Sequence, residues 1–147
     1  MYSKILVPLD GSPLAEQVLP HVLALAACHQ SEVVLLRVVN YPLSAVPLSD
    51  ANLEEEVRDC EECEDTAYLQ AVTEKYFKGS NLKVEADLIT GDGPIVKSIL
   101  DYANEMGVEL IAMSTHGRTG PAHWIIGSVA ERVVQASKIP VLLVRPR

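Results

Sequence analysis

An open, parallel, five-stranded α/β sheet with helices on both faces is the fold this sequence predicts. Three observations lead there. Short, β-branched apolar runs alternate with helical stretches through five strand candidates. One of those runs, VVLLRVV, is apolar almost throughout, as strands are when helices cover both faces of a sheet. Strand–helix–strand order with right-handed crossovers then forces the strands parallel.

The elements follow in order. Lys4 to Leu9 (KILVPL) is the first strand, ending in Asp10-Gly11-Ser12-Pro13. Ser12 is placed to cap a helix with Pro13 at its first position, where a missing amide hydrogen does no harm. Leu14 to Ala27 reads as one apolar helix, with Pro20 in its interior bending the axis. Val33 to Val39 is the second strand. Asn40 to Asn52, with two prolines and two serines, is the loop expected to move most. Leu53 to Phe77 is the longest helix, and Leu82 to Ile89 alternates as an edge or half-buried strand does. Gly91-Asp92-Gly93-Pro94 opens a helix through Ala103, which Gly107 closes in the left-handed conformation. Val108 to Met113 is the fourth strand, Ser128 to Ser137 a helix, and Ile139 to Val144 the last strand.

The totals fit a single domain spanning residues 1–147, long enough to bury about 70% of its unfolded surface. No apolar run approaches the ~18 residues of a membrane span. MYSKILVPLD lacks the features of a secretory leader, so the expected compartment is the cytoplasm. Most of the net charge of −8 falls in Glu54 to Asp65, which sets eight carboxylates against one arginine. A uniformly acidic surface would repel nucleic acid, but here the acidity is one solvated stretch and the rest is close to neutral. Neither nucleic-acid binding nor membrane insertion is expected. Cys60 and Cys63 recur with Leu53, Val57, Ala67 and Ala71 at three- and four-residue steps, which predicts a buried stripe rather than a redox or zinc pair.

Ligands of such sheets bind beyond the carboxyl ends of the strands, where strand order reverses. Two strand ends carry suitable residues: Pro8-Leu9-Asp10 and Ser114 to Gly120. Gly117 and Gly120 permit close backbone approach, Gly127-Ser128 stands at a helix start that favours an anion, and Arg118 offers a guanidinium suited to phosphate. Another reading needs no ligand: Ser128-Val129-Ala130-Glu131 is a capping box, and Asp10 is a turn residue. The loop is neither a Walker A motif nor a G-x-G-x-x-G fingerprint.

With these pieces in view (KILVPLDGS, VVLLRV, GDGPIVKSILDYA, MSTHGRTG, GSVAERVV and PVLLVR), the chain resembles the universal stress protein family over essentially its whole length. Nucleotide-binding members carry glycine, two residues, glycine, nine residues, then glycine with serine or threonine. Gly117 and Gly127-Ser128 match that spacing, and Ser114 stands where the first glycine would be. The resemblance implies a Rossmann-like, adenine nucleotide alpha hydrolase-like sheet holding ATP, with or without Mg²⁺. It places Asp10 on the adenosine and Pro8, Leu9 and Val38 around the base. Met113 and Ser114 would flank the ribose, and Gly117, Arg118, Gly127, Ser128 and Val129 would hold the phosphates. It also implies a homodimer joined through Pro140 to Val144, an apolar edge that pairing would protect.

The function expected from this is a nucleotide-binding regulatory module that answers stress through an unidentified protein partner, with hydrolysis slow or absent. No catalytic or metal-ligating residues are assigned; His116 is the only candidate base. A nucleotide-free dimeric module of the same family, or a slow ATPase, is the alternative. Adenylating and nucleotidyl-transfer relatives would show Ser-Gly-Gly-x-Asp-Ser or His-x-Gly-His, whereas here the first strand ends in PLDGSP.

Overall fold

The computed structural model describes residues 1–40, 51–91, 93–116 and 126–146, with residues 51–61 in backbone only. The chain runs β1 (Lys4–Leu9), α1 (Pro13–Glu16), α2 (Leu19–His29), β2 (Glu32–Val39) and α3 (Ala51–Phe77). It continues with β3 (Val84–Thr90), α4 (Ile95–Glu105), β4 (Leu110–Ser114), α5 (Ser128–Ala136) and β5 (Val141–Val144). The five strands form one sheet in the order β3-β2-β1-β4-β5, and every pairing is parallel. Strand order therefore reverses beside β1: the chain first builds outward through β2 and β3, then returns to lay β4 against β1's other edge.

Alternation along the strands divides the core in two. Ile5, Val7 and Leu9 of β1 join Val33 and Leu35 of β2 on one face, beneath α1, α2 and the Leu69, Val72 and Phe77 side of α3. Leu6, Val34, Leu36 and Val38 point to the other face, under Ile99 and Ala103 of α4 and Ala130 and Val133 of α5. Ile5, Leu6, Val7, Leu35 and Leu36 lose all contact with solvent. Each such side chain contributes about 1.5–3 kcal/mol on burial, which is why these runs contain almost no polar residues.

The expected sheet, its edge strand β3 and the Ser12 cap all form. Ser12 Oγ accepts the amide of Ala15 at 3.1 Å, with Pro13 at the first helical position. Gly107 takes φ +64° beyond the end of α4.

Three expectations are corrected. The single helix over Leu14–Ala27 is two helices, broken at Gln17–Val18, so Pro20 falls in the first turn of α2 and forces no interior bend. The described part of the cysteine stripe is not buried: Cys63, Ala67 and Ala71 are exposed, and α3 packs through Leu69, Val72 and Phe77 instead. The side chains of Leu53, Val57 and Cys60 lie outside the described residues. Larger side chains remove more apolar area from water than cysteine or alanine, and they set the rotation of the helix. The fourth and last strands start at Leu110 and Val141, two residues later than expected in each case. Most of the Asn40–Asn52 loop lies outside the described residues, and residues 51–52 already belong to α3. Among the described residues, no helix is long and apolar enough to cross a membrane.

Candidate functional site

A cleft of about 370 Å³ opens at the carboxyl ends of the strands, beside the reversal of strand order. Nine of the expected residues line it: Pro8, Leu9 and Asp10 after β1, Val38 in β2, Met113 and Ser114 in β4, and Gly127, Ser128 and Val129 at the start of α5. Gly117, Gly120 and Arg118 lie outside the described residues. The cleft also gathers residues that the expected set omits, among them Arg37, Asn40, Ile95, Thr115 and His116.

At the β1 side, Asp10 Oδ1 accepts the amide of Ser12 at 2.9 Å while Gly11 turns through φ +84°. The turn role weighed for Asp10 is therefore real, and the same carboxylate faces the cleft. Arg37, at the end of β2, spans this turn. Its Nε donates to Asp65 Oδ1 of α3 at 2.9 Å, and its Nη1 lies 3.5 Å from the carbonyl oxygen of Leu9. Both charged side chains are only 13% and 18% exposed, so the pair works in partly dry surroundings. Nearby, burial first, then the charges of Glu16 and Asp10, push the Tyr68 hydroxyl well above its ordinary range and keep it protonated. Asn40 Nδ2 donates to the Gly93 carbonyl at 2.7 Å, which ties the end of β2 to the approach of α4.

At the other side, α5 enters against the end of β4. Gly127 donates its amide to the Thr115 carbonyl at 2.6 Å. A Cβ on Gly127 would stand 3.0 Å from that same oxygen and 3.8 Å from His116 Cα. With φ −59° and ψ 147°, Gly127 is needed for close approach and not for a left-handed turn. It is also the N-cap. Ser128 is thus already the first helical residue, Glu131 lies one place too far along, and the capping box of the sequence does not form. Glycine at the N-cap has no side chain to cap α5, and among the described residues none does so, which leaves its opening amides their attraction for an anion. Ser114 is 8% exposed and its hydroxyl accepts the His116 amide at 3.4 Å. Among the described residues, no three His, Cys, Asp or Glu side chains cluster as metal ligands.

A family model described as the universal stress protein family matches residues 1–145 of this chain. The Bacillus subtilis universal stress protein YxiE is 30% identical, over 99% of this chain and 100% of its own. The Methanocaldococcus jannaschii universal stress protein MJ0577 is 33% identical, over 99% of this chain and 96% of its own. A solved structure of MJ0577 superposes with a TM-score of 0.84 at 31% identity, covering 100% of this chain and 98% of the other. An Archaeoglobus fulgidus universal stress protein in complex with dAMP shares the fold, with a TM-score of 0.63 at 20% identity over 97% of each chain.

Proposed function

The chain belongs to the universal stress protein family, and from that membership we propose that its cleft binds an adenine nucleotide, ATP with or without Mg²⁺, to regulate a protein partner. The observation that carries this reading is the pairing of an acidic turn at one wall with an uncapped helix start at the other. A volume of about 370 Å³ falls within the roughly 300–1,000 Å³ of small-molecule sites.

In this reading Pro8, Leu9 and Val38 form the apolar wall for the base, and Asp10 accepts from a ribose hydroxyl or the exocyclic amine. Met113 and Ser114 flank the sugar. The amides of Ser128 and Val129 face the phosphates, where a helix start favours an anion by about 0.3–1 kcal/mol. Gly127, its own amide held by Thr115, lets the phosphates approach the backbone closely. The family resemblance assigns Gly117 and Arg118 to the same phosphates. The ligand supplies a chain of negative charge whose presence or loss is the signal that the protein partner reads. The dAMP bound by the Archaeoglobus relative supports the ligand class.

The role is regulatory rather than catalytic, with hydrolysis slow or absent. The one carboxylate described at the cleft, Asp10, is engaged in its own turn and belongs to the adenosine end. The protein acts in the cytoplasm as a homodimer through Pro140 to Val144. β5 stands at the edge of the sheet, and all four of its residues are half-buried, which favours pairing with a second copy.

Calorimetric titration with adenosine, AMP, ADP and ATP, with and without Mg²⁺, tests the reading. Affinity is expected to rise with each added phosphate. Absence of binding to all four would overturn it and favour a nucleotide-free module.

A further inference from the structure

The cleft holds a buried polar atom for which the described residues offer no partner. His116 Nε2 is buried, and it makes no hydrogen bond among the described residues. The opposite nitrogen is engaged: Nδ1 lies 2.9 Å from Thr115 Oγ1. Native structures rarely leave a buried polar atom unmatched, because the group has given up water for nothing. His116 also lines the cleft, and its Cα stands within 4 Å of the space beside Gly127, at the end where α5 presents its amides.

Resting on the nucleotide reading above, we propose that His116 is a further ligand-contacting residue of the site, donating from Nε2 to a phosphoryl oxygen. The chemistry follows from the hydroxyl next door. The Thr115 hydroxyl can donate to Nδ1 or accept from it. In the proposed tautomer it donates, so the single ring proton resides on Nε2, which then donates to the ligand. An imidazolium donates from Nε2 as well. The matching ligand atom is an acceptor with spare lone pairs, located beside the start of α5. A phosphoryl oxygen is such an atom, and it would receive the imidazole and the helix amides together. The base, by contrast, would rest at the Pro8 and Val38 wall, on the β1 and β2 side of the cleft.

The assignment separates phosphate from nucleoside, which makes it testable on the full chain. Adenosine, AMP and ATP are titrated calorimetrically into the wild type, His116→Phe and His116→Gln, with thermal unfolding of each. His116→Phe keeps the ring's bulk without its nitrogens; His116→Gln keeps an amide donor at similar reach. The expected result is a loss of about tenfold for AMP and ATP with His116→Phe, as for one hydrogen bond to a charged group. Adenosine should change by less than about twofold, and His116→Gln should recover most of the loss. Should His116→Phe fail to fold, the glutamine variant still decides: phosphate-dependent affinity close to wild type supports the assignment, and an adenosine loss equal to the AMP loss overturns it. Unchanged AMP and ATP affinity with His116→Phe, in a wild type that binds them, overturns the role of His116 alone. A wild type that binds none of the three overturns the nucleotide reading and this inference with it.

Discussion

The two ends of the sheet use their polar residues in opposite ways. Where the strands begin, charges are matched to one another. Glu32 of β2 meets Lys4 of β1 at 3.2 Å and Lys83, just before β3, at 3.1 Å, while Lys83 also reaches Glu85 at 2.9 Å. Glu109, just before β4, takes the amide and hydroxyl of Ser3 at 2.8 and 3.0 Å. Where the strands finish, the polar groups point at a space. Asp10 faces the cleft, α5 starts without a side-chain cap, and His116 keeps a buried nitrogen unmatched. At the first end ion pairs join neighbouring strands and serve stability; at the second, polar groups line the cleft proposed above as the ligand site.

Substitutions at the two ends should therefore separate binding from stability. The largest effect is expected at Asp10. Asp10→Ala should weaken adenosine by at least about tenfold, since it removes an acceptor that carries charge. Asp10→Asn keeps an oxygen for the Ser12 amide, so comparing the two in calorimetry divides the loss between charge and turn. An effect on ATP with adenosine unchanged would break the assignment of Asp10 to the nucleoside.

Arg37 belongs to both ends of the comparison, because it lines the cleft yet is held by an ion pair to α3. Arg37→Met should cost about 1–2 kcal/mol in urea unfolding, the range for a charged hydrogen bond lost from partly buried surroundings. Adding Asp65→Leu should recover part of that cost, because the carboxylate then no longer lacks its partner. Strict additivity of the two changes would show that the pair is not coupled.

The smallest effect sharpens the contrast from the stable end. Burial alone would raise the Glu32 carboxyl, but hydrogen bonds and charge from Lys83 and Lys4 outweigh it and hold the group below its ordinary value. A lowered carboxylate contributes stability above its unfolded value near pH ~4.3, and loses it as pH falls through the folded value. Glu32→Gln should thus cost only about 0.5 kcal/mol at pH 7 after solvent screening. The difference from wild type should shrink below pH ~4, and nucleotide affinity should not move. A binding defect in this variant would show that the two ends are coupled.

The core was legible in the sequence because strands covered on both faces are apolar at every position, as Leu6, Val34 and Ile111 are. The cleft was legible where it rests on backbone: Pro8 to Asp10 and Gly127 to Val129, which line it, announce themselves through turn and glycine chemistry. What escaped depends on rotation and distance. The start of α5 one residue before Ser128 decides that no capping box forms, and that start is set by Gly127 packing on Thr115. Arg37 and Asp65 stand 28 residues apart on separate elements, so no local pattern joins them. The burial of Leu69 in place of Cys63 depends on how α3 is turned toward the sheet, in a helix whose face pattern is weak on both sides. His116 stood out in the sequence only as a candidate base; its place in the cleft depends on how the end of β4 meets α5.

The position of β1 has a consequence for synthesis. It is the earliest of the five strands, yet it sits at the centre of the sheet, and its far edge is covered only by β4. Ser3 and Glu109 meet across 106 residues of chain. At about 5–20 residues per second, a ribosome takes on the order of 5–20 s to supply the missing neighbour. Through that interval the apolar edge of β1 is open to any other strand, its own kind included. A message truncated between β3 and β4 would release a product able to aggregate but not to close its sheet.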